Sequence, residues 1–525
     1  MLLQPTTPKP TVHFHNRGQD YVSISSKSSY SISFSSWPVK YTGGRDKNLV
    51  FFSCSSASRV QSYGRIGSER RPRLKWNDVY TKISMMEDQN MSSALVLNQA
   101  VGEGRSLPKW ELHRVVKELR KFRRYKSALE VLEWMNDRAE YRIGSSETAI
   151  QLDLIAKVYG ASSAEQYFLN LPDSLKDKRI YGALLNVYAQ ARMREKAESL
   201  MNKMRNRGYA SYTLPFNVMM TLYMNLGDHE KVESLVLEMK DSHIELDSYT
   251  YNIWLSSRGS QGSASKMERV FEQMRLDTTT SPNWTTYSTM ATVYIKLEQF
   301  EKAKNCLRMI ETRITGRNRI PYHYLISLYA NAGSNEDVYR VWNIYKANFL
   351  KILNLGYQTM ISALVRLDDI DGAEKIYDEW LSVKSLYDPR VGNLLLGSYV
   401  RNGLSEKAEI FFDQMIHSGG KPNPMTWEIL AEDHINNGRA SEALSCLKNA
   451  TSALGSKSWK PKPTIISSII NISKQEADTA TQDALLDILK RAGCLDDENY
   501  MSNIPISIDG PFKNTNLAQG TLLPR

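Results

Sequence analysis

Acidic residues are nearly absent from the beginning of this sequence: only Asp20 and Asp46 precede Glu69. Cysteine is scarce throughout. Cys54, Cys306, Cys446 and Cys494 are the only four in 525 residues, and no two of them form a Cys-x-x-Cys pair. That excludes a disulfide-stapled secreted domain and a four-cysteine zinc site. It fits a reducing compartment with free, mostly buried thiols. No apolar run reaches the ~20 residues that a membrane-spanning helix needs. No P-loop and no dinucleotide fingerprint occurs. A zinc deaminase would need both His-x-Glu and Cys-x-x-Cys; His243-Ile244-Glu245 has the first spacing, but no Cys-x-x-Cys is in the body of the chain. Two acidic clusters remain, Asp368-Asp369 with Asp371, and Glu432-Asp433 beside His434. The first reads as helix-start material at a turn and the second as a solvated helix face. No catalytic residue, metal site or cofactor is expected.

Charge is also missing where the overall value suggests it. The formal net charge is +10, but residues 1–75 hold 12 Lys/Arg against 3 Asp/Glu, and the remainder holds 55 against 54. The body is close to neutral, so its charge gives no argument for binding a polyanion. Residues 1–65 are rich in serine, with clusters at 23–36 and 53–58. Low acid with high serine is the composition of a disordered organelle transit peptide. The run Phe52-Ser53-Cys54-Ser55-Ser56-Ala57 looks like a plastid cleavage region. It favours chloroplast, with mitochondrion as the alternative.

What is present is a period. Phe216-Asn217, Tyr251-Asn252 and Tyr287-Ser288 set a polar residue after an aromatic at intervals of 35 and 36. Further steps of 35 reach His323, Gln358, Asn393 and Glu428. A period held over most of a chain marks a repeat array. Within Leu214–Ser248, apolar residues at 216, 219, 220 and 223 follow helical spacing, Gly227 stops that helix, and Val232 to Met239 makes a second apolar face. Other units repeat the marks. Glycine ends the first helix at 262, 333, 403 and 438. A small residue recurs in the second at Ala197, Ala303, Ala373, Ala408 and Ala443. A large apolar residue closes it at Met204, Met239, Met274, Ile310, Trp380 and Met415. Two such helices cannot bury both faces alone, so they must stack on neighbours.

Tyr251-Asn252 opening a helix, a Gly ending it, and Glu268-Arg269-Val270-Phe271-Glu272-Gln273-Met274 in the next helix resemble the pentatricopeptide repeat of plant organelle RNA-binding proteins. The resemblance spans about nine or ten units between Trp110 and Cys494. No editing-type extension is visible, so it resembles the plain P class. It implies an all-α, right-handed α-solenoid of helix-turn-helix repeats of about 35 residues. The organisation expected is a transit peptide at 1–65, a basic linker and helical cap at 66–109, the array at 110–495 and a tail at 496–525.

The resemblance also implies residues that read bases at roughly one per repeat. One reader follows the aromatic; its partner lies in the turn, five residues before the next reader. The pairs are Asn217 with Asp247, Asn252 with Asn283, Ser288 with Asn318, His323 with Leu353, Gln358 with Asp388, and Asn393 with Asn423. By the family's rule they favour a pyrimidine (U best), a pyrimidine, A, any, any, and a pyrimidine. Gly182 with Tyr212 and Glu428 with Lys462 depart from the pattern. An Asn after an aromatic is alternatively a plain helix-start cap. The family's sandwiching positions, taken two before each reader, are Pro215, Thr250, Thr286, Pro321, Gly356 and Gly392, none a large stacking side chain.

Arg114, Lys117, Arg120, Lys121 and Arg124 belong to the densest basic run of the body, which suits RNA phosphates or a solvated helix face equally. The expected function is therefore non-enzymatic binding of single-stranded organelle RNA by a monomer, together with other RNA-processing proteins. The competing reading is a protein-interaction scaffold, which the near-neutral body and weak stacking positions support.

Overall fold

The computed structural model describes residues 75–84, 92–314, 318–384, 386–453, 459–476, 478–492 and 494. The expected transit peptide, the whole of the expected tail and Cys54 lie outside them. Every regular element among the described residues is helical.

Two compact units form, one ending at Arg142 and the other beginning at Ile143. The first holds α1 (Lys75–Ser84), α2 (Ser93–Gly102), α3 (Lys109–Lys121) and α4 (Tyr125–Asn136). Here α1 packs on α3 and α2 on α4. The segment expected as a cap therefore lies against the first hairpin as a hairpin of its own. Val96, Leu97 and Ala100 of α2 are buried, as are Ala128, Leu132 and Met135 of α4.

The second unit is a stack of ten hairpins. Their helices are α5 (Ser145–Tyr159), α6 (Ala161–Asn170), α7 (Lys178–Gln190), α8 (Arg194–Asn206), α9 (Thr213–Leu226), α10 (His229–Asp241), α11 (Ser248–Ser260), α12 (Ala264–Leu276), α13 (Trp284–Lys296), α14 (Phe300–Glu311), α15 (Ile320–Asn331), α16 (Asn335–Asn348), α17 (Asn354–Arg366), α18 (Ile370–Val383), α19 (Pro389–Arg401), α20 (Ser405–His417), α21 (Pro424–Asn436), α22 (Ala440–Ser452), α23 (Pro463–Gln475) and α24 (Thr479–Arg491). Each odd-numbered helix packs on the next odd one from α5 to α23; among the even helices of this unit only α22 and α24 do so to a comparable degree. The odd row is thus the close-packed one.

The repeated sequence marks explain the stack. Ala197, Ala303, Ala373, Ala408 and Ala443 are fully buried where the second helix meets its neighbours, and Met204, Met239, Met274, Ile310, Trp380 and Met415 close the same layer. Tyr345 takes that closing register in α16, also fully buried. The turn between the helices of a hairpin needs a left-handed residue. Gly227 supplies it at φ 75°, as do four more glycines at the same register. Arg192, Glu298 and Asp368 occupy it without glycine, at φ 56°, 58° and 62°, each at a strain cost of about 1 kcal/mol or more.

A polar staple recurs across hairpins. Tyr188 and Lys196 both donate to Glu165 of the preceding hairpin. Tyr223 and Lys231 do so to Glu198, Tyr294 and Lys302 to Glu268, and Tyr399 and Lys407 to Glu374. The lysine hydrogen bond is the main cause holding the Glu165, Glu198 and Glu268 carboxyls below their ordinary pKa. At Glu374 burial opposes the shift, and Lys407 and Tyr399 overcome it.

Candidate functional site

The reader register falls on the fifth residue of most of the odd helices, well inside the first turns. Its partner in the turn is the N-cap of the next odd helix, except that Asn318 lies one residue before the N-cap Arg319 of α15. Asp247, Asn283, Asp388 and Asn423 each accept from backbone N–H groups there. Capping therefore accounts for the partner residues but not for Asn217, Asn252 or Asn393, which sit past the cap.

Two of the six pairs close on themselves. Asn217 Nδ2 donates to Asp247 Oδ1 at 3.3 Å, and Asn393 Nδ2 donates to Asn423 Oδ1 at 3.2 Å. A threonine completes each set: Thr250 Oγ1 donates to Asn217 Oδ1, and Thr426 Oγ1 to Asn393 Oδ1, both at 2.8 Å. The remaining pairs do not meet in this way. Asn252 donates to Thr285 Oγ1 at 2.9 Å, while Asn283 takes the N–H groups of Thr285 and Thr286. Ser288 bonds back to the Trp284 carbonyl of its own helix, and Asn318 accepts from the Ile320 N–H.

His323 turns inward. Its Nε2 lies 3.1 Å from the Tyr345 hydroxyl, with the rings edge to face. Burial, helped by Arg319, pushes its pKa down to about 4. Leu353 is half exposed and caps α17 with no side-chain bond. Asp388 is engaged by Asn354 and by a bidentate Arg390; burial opposes its ionisation, but these partners hold its pKa below the ordinary range. At the ends of the register, Glu428 is buried and accepts from Trp459 and the Lys462 N–H. The Tyr212 hydroxyl lies close beside Gly182.

The positions two before each reader, Pro215, Thr250, Thr286, Pro321, Gly356 and Gly392, are all buried, as are the readers themselves. At 100° per residue, that position points about 160° away from the reader, whereas the one three before points only about 60° away. The latter column is Leu214, Tyr249, Thr285, Ile320, Leu355, Arg390 and Met425, and all seven are at least partly exposed. Eight residues after each reader, about 80° round, comes a second column: Asn225, Ser260, Lys296, Asn331, Arg366, Arg401 and Asn436. Every member can donate a hydrogen bond. Crowding by the protein lowers the pKa of Lys296, Arg366 and Arg401 from the ordinary range. Sequence reading missed both columns, though helical spacing from the reader locates them.

In the first unit, Arg114, Lys117, Lys121 and Arg124 are exposed and Arg120 half-buried. Trp110, more than half exposed, begins the same stripe as Arg114, Lys117 and Lys121. The acidic clusters resolve as structure. Asp369 caps α18 and accepts from Tyr339 and Asn335. Asp433 is not solvated: it is buried, bonds Ser405 of the previous hairpin and lies 3.5 Å from Arg439. Among the described residues no three His, Cys, Asp or Glu side chains gather as metal ligands. Cys306, Cys446 and Cys494 are buried and in no disulfide, and burial pushes the Cys306 thiol up to about 12. No described helix is long and apolar enough to cross a membrane.

Comparison with known proteins gives a consistent likeness. The PPR repeat family matches residues 213–259, and the PPR repeat matches 179–209, 285–313, 357–383 and 393–420. A pentatricopeptide repeat-containing protein of Arabidopsis thaliana is 52% identical over 481 residues, covering 91% of this chain and 92% of that protein. The large ribosomal subunit protein mL101 of the same plant is 36% identical, covering 82% of this chain and 86% of its own. Among solved structures, the pentatricopeptide repeat protein PPR10 in complex with an 18-nt psaJ RNA element is 14% identical, at a TM-score of 0.44. That match covers 79% of this chain and 65% of PPR10, just under two thirds of its length.

Proposed function

Because the chain belongs to the pentatricopeptide repeat family, we propose that it is a sequence-preferring, single-stranded RNA-binding protein of a plant organelle. It stabilises, processes or helps translate a transcript by occupying it, without catalysis and as a monomer. The observation that carries this reading is the pair geometry. Asn217 with Asp247 and Asn393 with Asn423 sit at one register, five repeats apart, each holding an amide N–H beside a turn residue. The column three before the readers supplies surfaces for bases to lie against. Its members are mostly aliphatic or short, so stacking contributes less than the roughly 1–3 kcal/mol per base that an aromatic gives. The column eight after the readers brings Lys296, Arg366 and Arg401 to the phosphates. The exposed stripe of Arg114, Lys117 and Lys121 adds cations in the first unit.

The leader composition favours chloroplast. Mitochondrion is the alternative, and several relatives 31–34% identical carry that organelle in their names. Residues 1–65 fused to a fluorescent protein decide between them by where the signal appears.

The test of binding uses short RNAs carrying U-U-A or G-G-G opposite Asn217, Asn252 and Ser288, titrated by fluorescence anisotropy over a salt series. The expected result is preference for U-U-A that disappears in Asn217→Ala/Asn252→Ala. Phosphate contacts alone fall steeply with salt and would give no such preference. Equal affinity for both RNAs at every salt favours the scaffold. That second reading has one specific support: a relative of this length is a ribosomal subunit protein.

A further inference from the structure

We propose that Thr250 and Thr426 are positioning residues that hold the Asn217 and Asn393 amides in the orientation by which the Asn217/Asp247 and Asn393/Asn423 pairs discriminate between pyrimidines. The inference rests on the reading above that these pairs face bases.

Thr250 belongs to the next repeat, two residues before Asn252, and is fully buried. Its hydroxyl lies 2.8 Å from Asn217 Oδ1 and 2.8 Å from Asp247 Oδ1. Its backbone N–H donates to that same Asp247 oxygen at 2.8 Å, and so does Asn217 Nδ2 at 3.3 Å. Turning the Asn217 amide over would set its oxygen against the carboxylate, acceptor against acceptor. The amide is therefore fixed, oxygen toward Thr250 and N–H toward Asp247. One amide hydrogen remains, and beside it Asp247 Oδ2. A donor next to an acceptor complements the edge of uracil, where a carbonyl adjoins the N3–H.

The second set differs by one group. Asn423 Oδ1 takes Asn393 Nδ2 at 3.2 Å, the Thr426 N–H at 2.9 Å and the Thr426 hydroxyl at 3.1 Å. Its own Nδ2 is thereby turned away from the cap. Together with the remaining Asn393 hydrogen, this presents two donors. Two donors complement cytosine, whose O2 and N3 both accept.

Asn252 is the built-in control. One of its Nδ2 hydrogens goes to Thr285 Oγ1 rather than to the turn residue Asn283, and its buried Oδ1 has no hydrogen-bond partner. Thr286, which stands where Thr250 and Thr426 stand, bonds only to its own cap, Asn283. The hydroxyl at this register thus orients the reader at 217 and at 393 but not at 252.

The experiment uses the full chain and RNAs that differ only in U or C opposite Asn217, or only in U or C opposite Asn393. Wild type is expected to prefer U at the first base and C at the second. Thr250→Val should lower the U-over-C ratio at the first base by about fivefold or more, the size of one lost hydrogen bond, and leave the second unchanged. Thr426→Val should do the converse. Thr286→Val should alter neither ratio, and Thr250→Ser should keep the wild-type ratio. A valine that weakened binding to all RNAs equally, with both ratios intact, would show a structural role only and overturn the inference. So would unchanged ratios in Thr250→Val and Thr426→Val. If one valine variant fails to fold in thermal melts, the other carries the test. Wild type without preference at either base would instead sink the reading of these pairs as base readers.

Discussion

The hairpin α9–α10 and the hairpin α19–α20 lie five repeats apart, yet they hold their readers in the same hydrogen-bonded set. The hairpin α15–α16 holds His323 in an unrelated way. The difference begins in its second helix. In the first two hairpins the closing residue of the second helix is a methionine: Met239 in one and Met415 in the other. In α16 it is Tyr345, whose hydroxyl reaches back to His323. Tyr345 also packs with Tyr322, Trp342 and Phe349, and Trp342 with Tyr357 of the next repeat. One region holds its reader in a set of polar side chains; the other has turned its reader into part of an aromatic core. A repeat can lose its reader without losing its place in the stack, because the two depend on different layers.

That contrast can be broken by substitution. The largest effect is expected from Trp342→Ala. It removes a fully buried ring and should cost about 3–5 kcal/mol in denaturant unfolding, while the U-over-G preference opposite Asn217 stays unchanged. Asn217→Ala should do the opposite, erasing the preference with a much smaller stability change. If both variants lowered both quantities, the two regions would not be separable.

A second effect is a pH dependence to which the aromatic region contributes. His323 has a folded pKa of about 4 against the ordinary 6.5. The folded chain keeps it neutral while the unfolded chain protonates it, so stability is lost as pH falls from about 6.5 toward 4. By pH 5 the loss from this residue is about 2 kcal/mol. His323→Gln should remove that portion of the acid sensitivity, seen as a flatter melting-temperature profile between pH 7 and 5. Equal slopes in the two proteins would sink the assignment.

A smaller change tests the left-handed turn. Asp368→Gly relieves a positive φ at no loss of capping, since Asp369 is the capping residue. It should stabilise by about 1 kcal/mol, read as a shift in the urea midpoint without a change in slope.

The smallest expected effect sharpens the comparison most. His323→Asn with Leu353→Asp rebuilds a reading pair in the aromatic region. The position of Thr250 is there Gly356, and a Cβ at 356 would meet Tyr345 and Ile352 side chains at 2.9 Å. Without a hydroxyl at that point the grafted pair should give little or no U-over-C selectivity opposite residue 323. Selectivity equal to that at Asn217 would show the threonine to be dispensable.

Much of the fold was legible from spacing alone. The alanines and large apolar residues at fixed register fell into one buried layer, and the glycines fell on the left-handed turn. What spacing missed was substitution within a register. Tyr345 closes its helix as a methionine would, but an aromatic hydroxyl there redirects His323, and no one-dimensional pattern reports that. The reader positions came from family likeness, and at Asn217 and Asn393 the structure closes the expected pair with a hydrogen bond. It could not show that Thr250 and Thr426 complete them, because a threonine three residues after an Asp or Asn reads as an ordinary capping residue. The column taken two before each reader is buried and points about 160° from it, which the helical angle alone would have indicated. The unit boundary at Arg142 was not legible, since the period runs through it.

The close-packed row of odd helices has a mechanical consequence. A stack bonded tightly along one edge and loosely along the other flexes like a bound book: the spine keeps its length while the page edges fan apart. The readers lie on the spine. Flexing the second unit therefore changes the spacing between successive readers little, while the gaps between even helices take up the strain. A strand lying along the spine would feel a ruler of nearly constant graduation, whatever the curvature of the binding.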